Sequence, residues 1–106
     1  MSDELRILAT TFPDRASAEK VTRVLIDAGL AVCGQVGADL QSYYRWEGEV
    51  KSVAEVGVVY KVLALRFDLF VGELRMQHPY EIPQLVAWTA VWTDPGYLEW
   101  AKGQGK

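Results

Sequence analysis

The single histidine of this 106-residue chain stands in the run Gln77-His78-Pro79-Tyr80-Glu81-Ile82-Pro83. A neutral imidazole ligates transition metals and exchanges protons near neutral pH. Here a phenol and a carboxylate follow within three residues. Two readings stay open for His78. In one it is a metal ligand or proton-handling group in a cleft between subunits. In the other it is a helix-terminal residue that bonds local backbone or a neighbour's carboxylate, near the negative end of a helix dipole. A metal prefers three or four ligands, and copper(I) prefers sulfur. The other candidate donors are Cys33 and Met76, but Met76 lies two residues from His78, a spacing that does not face one way on a helix. A closed metal site within one chain is therefore not expected; a site built on His78 and Cys33 with ligands from a second chain, or weak adventitious binding, is what remains.

Lys61 interrupts an otherwise apolar strand pattern. An ammonium near a sheet interior needs an acidic partner or an anionic ligand. Glu55 on the same strand and a neighbouring chain's Glu81 are the carboxylates expected to serve, and an anionic ligand in an intersubunit cleft is the alternative. The run Tyr43-Tyr44-Arg45-Trp46 is a third cluster, with Tyr44 and Trp46 on one side of a strand and Tyr43 and Arg45 on the other. Aromatic anchors rimmed by arginine suit a subunit interface, and Trp46 can also stack on a ligand. The chain contains no glycine-rich phosphate loop, nucleophile elbow, CxxC or HExxH, so nothing points to an enzyme.

Positioning these side chains falls to an alternation of strands and helices. Residues 5–12 read as a strand closed by Pro13. Asp14 caps a helix whose apolar positions are Ala18, Val21, Leu25 and Ala28, and Gly29 supplies its left-handed stop. Residues 30–46 alternate as one long strand, with Leu30, Val32, Val36, Ala38 and Leu40 on the apolar parity and Gly34 and Gly37 as bulge points. Gly48 marks a tight reversal into a return strand over 55–63. A second helix over about 65–77 buries Phe67, Phe70, Val71 and Leu74 and must end before Pro79. Residues 84–92 read as a strand that is apolar on both parities, and Asp94-Pro95 opens a last short helix. The order is βαββαβ plus a C-terminal helix, the ferredoxin-like α+β arrangement, in one domain with an ordered core over about 5–101 and a tail at 102–106.

Half the residues are hydrophobic, four are tryptophan, and the net charge is −3, a folded composition with no basic footprint for nucleic acid. The longest apolar run falls well short of a membrane span. A lone cysteine and an acidic start without a leader pattern lead us to expect a cytoplasmic protein. Two helices cover only one face of a four-stranded sheet, yet Trp88 and Trp92 share one parity of the last strand while Leu85, Ala87 and Val91 share the other. Covering that second face at roughly 25 cal/mol per Å2 contributes several kcal/mol per chain. An obligate oligomer is the expected outcome.

Taken in order, SYYRWEGEV at 42–50, Glu55, Lys61, HPYEIP at 78–83, AVCG at 31–34 and DPGYLEW at 94–100 resemble the CutA family of divalent-cation tolerance proteins. The resemblance implies a compact homotrimer in which long hairpins pair between subunits. It also implies tolerance to copper or another divalent cation, with copper bound by some members and no cofactor required. Likeness to PII signalling proteins suggests the alternative of a regulatory trimer that binds a small anionic ligand. The expected intersubunit cleft then comprises Lys61, His78, Tyr80, Glu81, Trp46, Arg45 and Glu55. The expected trimer interface comprises Tyr43, Tyr44, Trp46, Trp88 and Trp92. A scaffold for a partner protein is a third reading. The pattern departs from the family where Thr10 replaces a metal-implicated cysteine and Gln77 replaces the first of two histidines.

Overall fold

Leu5–Phe12 forms β1, Arg15–Asp27 α1, Cys33–Trp46 β2, Glu49–Leu63 β3, Phe67–Gln77 α2, Val86–Thr89 β4 and Pro95–Lys102 α3. The structure, a computed structural model, describes residues 4–104. Residues 1–3, the start of the acidic segment, and 105–106, the end of the expected tail, lie outside the described residues. The sheet order is β2-β3-β1-β4 with every neighbouring pair antiparallel.

The caps follow local chemistry. The Asp14 carboxylate accepts from Ser17 N–H at 2.7 Å, and Gly29 adopts φ 72° after α1. Asp94 accepts from Gly96 and Tyr97 N–H, with Pro95 in the first turn of α3. Such side-chain oxygens satisfy amides that have no partner within the helix. Glu47 (φ 50°) and Gly48 (φ 80°) make the two-residue hairpin turn that matches strand twist.

Three elements differ from expectation. The return strand begins at Glu49, not 55, because the partner strand continues pairing up to the turn, as far as Trp46↔Glu49. β4 is only four residues long, since its pairing to β1 stops at Arg6↔Thr89. In β2 the register slips between Val36 and Asp39. Two residues stand there against one on β3, a bulge that breaks the single apolar parity. Val36 packs into the core, whereas Leu40 beyond the bulge turns to the other face and is 42% exposed. The Arg15 guanidinium donates to the Gly37 carbonyl at 2.9 Å, satisfying the acceptor at the bulge.

The main core lies between the sheet and α1/α2, built on Leu8, Phe12, Val56, Val58, Tyr60, Val62, Leu25, Phe70 and Leu74. On the opposite face α3 covers only one end, where Ala101 and Leu98 pack on Leu5 and Leu63. The rest of that face carries Val86 (53% exposed) and Trp88 (51%) beside Ala9 and Ile7. β1 pairs with β3 no farther than Phe12↔Val56. Beyond it, residues 40–55 continue as a two-stranded arm about 20 Å long. The arm makes the radius of gyration 14.6 Å, against about 12.9 Å for a compact chain of this length. The accessible surface is 6791 Å2, against about 5,900 Å2 for a monomer of this mass.

Candidate functional site

α2 stops where Pro79 forces it to. His78 takes an extended conformation (φ −70°, ψ 134°) while its N–H still donates to Leu74 O. That geometry folds the imidazole under the sheet edge. His78 is 7% exposed, stacked on Phe12 with ring centroids 4.4 Å apart and planes 13° apart. Tyr80 N–H donates to Nδ1 at 3.2 Å, and Nε2 lies 3.1 Å from Thr10 Oγ1. A backbone amide can only donate, so the ring proton sits on Nε2 and is given to the threonine hydroxyl. Burial pushes the imidazolium below its ordinary range, partly opposed by the Thr11 main chain and the charge of Glu55. His78 is thus a neutral ring with both nitrogens engaged.

Tyr80 extends this chain outward. Its hydroxyl donates to Glu55 Oε2 at 2.6 Å, a short bond of the charge-assisted kind. Burial, that bond and the negative charge around it hold the phenol well above its ordinary value. Glu55 in turn lines a groove of about 660 Å3 at the root of the arm, with Tyr44, Trp46, Lys51, Tyr80 and Glu81 among its walls. The bulge makes this possible. After it the even residues of β2 share a face with the odd residues of β3, so Ser42 pairs beside Val53 and Tyr44 beside Lys51. Residues 80–84 close the other side.

Of the seven residues expected in one cleft, Trp46, Glu55, Tyr80 and Glu81 line this groove. His78 lies behind it and reaches it through Tyr80. Arg45 pairs opposite Val50, on the face of the arm that points the other way. Lys61 sits six residues along β3 from Glu55, roughly 20 Å away. Its ammonium donates to Gln35 Oε1 at 2.7 Å, so the expected bond to Glu55 is replaced by an amide diagonally across the strand pair, Gln35 standing opposite Val59. Thr11, Ser42, Lys51, Val53 and Gln84 also line the groove. Strand parity with Glu55 would have pointed to Lys51 and Val53; nothing local marks Thr11 or Gln84. The five aromatics expected at an interface are all exposed on the chain, from Tyr44 at 47% to Trp92 at 73%.

A metal finds no ready set of donors here. Among the described residues no three His, Cys, Asp or Glu side chains stand close enough to hold an ion. Cys33 pairs opposite Lys61, whereas the Phe12 that stacks on His78 pairs opposite Val56, an offset of about 17 Å along β3. Within one chain the two cannot share a metal, and neither nitrogen of His78 has a free lone pair.

A four-stranded antiparallel sheet in this order, two helices on one face, a third helix on the other and an overlong hairpin define an α+β protein of ferredoxin-like topology. Residues 6–104 match the family described as CutA1 divalent ion tolerance protein. The divalent-cation tolerance protein CutA of Thermococcus kodakarensis is 34% identical over 97 residues, covering 92% of both chains. Among solved structures, a CutA1 from Pyrococcus horikoshii OT3 superposes with a TM-score of 0.91 at 30% identity, covering 95% of this chain and 98% of that one. CutA from Synechococcus elongatus gives 0.92 at 28% identity, covering 98% and 92%. The chain belongs to the CutA1 divalent ion tolerance family. Among the described residues no helix is long and apolar enough to cross a membrane.

Proposed function

We propose that this chain works as a cytoplasmic homotrimer in divalent-cation tolerance, by binding or signalling and not by catalysis. The observation that carries the assembly is the arm beyond Val56, where, among the described residues, 40–55 pair only with each other. A two-stranded ribbon alone is marginal in water. This one exposes Tyr43, Tyr44, Trp46 and Val50, and the sheet face around Trp88 is likewise uncovered. Burying that surface against identical chains satisfies both the open strand edges and the apolar side chains. The groove at the root of the arm, with Trp46, Glu55, Tyr80 and Glu81, is the ligand site of this reading. Copper binding, if direct, draws on donors from more than one subunit, Cys33 and His78 being the candidates, and it requires His78 Nδ1 to give up the bond from Tyr80 N–H.

Sedimentation velocity at micromolar concentration tests the assembly. The expected species contains three 11.9 kDa chains, and a folded solitary chain at that dilution refutes the proposal. Copper titration of the wild type against Cys33→Ala and His78→Ala tests direct binding. Unchanged stoichiometry and affinity in both variants would rule out these donors.

A further inference from the structure

We infer that the groove at the root of the arm takes a small organic ammonium ion with an apolar body, an inference that rests on the reading of this groove as a ligand site. Its volume of about 660 Å3 falls within the range of small-molecule pockets. The walls combine Tyr44, Trp46 and Tyr80 with the carboxylates of Glu55 and Glu81. Among the described residues neither carboxylate has a Lys or Arg nitrogen within 4.0 Å. The one basic lining residue, Lys51, is held by Glu49 at 3.3 Å. Within one chain the local charge is therefore negative, with Lys51 as its one cation.

Three further features choose among cations. Aromatic faces attract ammonium groups through their quadrupole, Trp most strongly. The donors form no cluster of three metal-ligating side chains, so a bare divalent ion would be under-coordinated. Tyr80 spends its proton on Glu55 and so fixes that carboxylate in place before any ligand arrives, which lowers the ordering cost of binding. An anion would meet two unneutralised carboxylates and only a lysine already engaged. An ammonium with an aromatic or aliphatic body matches the charge, the rings and the apolar Val53 and Ile82 together.

The test uses the assembled full-length protein and three probes that share one phenylethyl body: 2-phenylethylammonium, 2-phenylethanol and 3-phenylpropanoate. The readout is the Trp46 indole N–H resonance, assigned with Trp46→Phe. The ammonium is expected to shift it saturably, with the alcohol and the carboxylate each weaker by about tenfold or more. Glu55→Gln and Glu81→Gln, isosteric changes whose assembly is checked by sedimentation, each weaken the ammonium on the order of tenfold. Lys51→Ala, which removes the one cation of the groove wall, is expected to tighten ammonium binding. A shift by 3-phenylpropanoate without one by the ammonium overturns the ligand class but keeps the groove as a site. No shift by any probe, with the assembly intact, overturns the site itself. Ammonium binding that both glutamine variants leave unchanged overturns the role of the carboxylates.

Discussion

Replacing Thr10 with valine removes one oxygen and keeps the shape of the side chain. Thr10 is 2% exposed, and its hydroxyl is the acceptor for His78 Nε2–H, 3.1 Å away in a ring that is itself 7% exposed. No water can reach that N–H in compensation, so the variant strands a buried donor. The cost is about 1–3 kcal/mol per chain. With a urea slope of about 2 kcal/mol per molar, the midpoint falls by roughly 1 M. His78→Phe keeps the stack on Phe12 but strands the Thr10 hydroxyl and the Tyr80 N–H, with a loss of the same order. In the double variant the two facing side chains are both apolar, so the losses fall short of their sum by about 1 kcal/mol. Equilibrium urea denaturation followed by far-UV circular dichroism measures all four proteins, at one chain concentration because assembly couples to unfolding. A double variant whose loss equals the sum of the single losses would show that the two side chains are not linked as described. A neutral Thr10→Val would do the same.

Two further outcomes follow from the same core. The folded-state pKa of His78 lies below its ordinary value because burial penalises the charged ring, so the unfolded chain binds more protons than the folded one as pH falls below about 6.5. Stability is therefore complete above that pH and declines on acidification toward the folded pKa; urea midpoints across pH 5–8 for the wild type and His78→Phe check this, the variant lacking that part of the decline. At Gly34 an added Cβ would lie 2.6 Å from Thr22 Cγ2 and 3.0 Å from Tyr60 Cε1, the buried pair joined by a 2.8 Å hydrogen bond. Gly34→Ala is expected to cost about 1–3 kcal/mol by overpacking. Gly57→Ala meets only the movable end of Leu40 at 3.0 Å and costs less; equal losses in thermal or urea melts would refute the distinction.

Element order was readable because it depends on local chemistry. Asp14 and Gly29 bound α1, Pro79 ends α2, Gly48 turns the hairpin, and Asp94-Pro95 opens α3, each through a backbone preference carried by one or two residues. Strand lengths were less readable. Nothing near residue 49 tells the chain that pairing resumes there; the partner strand does. The short β4 was obscured because residues 84–92 are apolar throughout, and apolarity marks burial in any company, whether on a sheet, under a helix or against another chain. The single parity assigned to β2 failed at the Gly37–Ala38 bulge, since one inserted residue reverses every side chain beyond it.

The candidate site divides along the same line. Trp46, Tyr80, Glu81 and Glu55 could be named from their types and their neighbours in the chain. That His78 turns inward to Thr10 and Phe12, that Lys61 bonds Gln35, and that Tyr80 reaches Glu55 depend on contacts across 68, 26 and 25 residues. Helix ends and turns are short-range consequences of a few dihedral angles, so the amino-acid order alone determines them. Which polar groups meet is decided only when packed strands and helices bring distant segments within hydrogen-bond range. For that reason the residue most suggestive of metal chemistry in the sequence is, in the folded chain, a neutral ring holding the core to the groove.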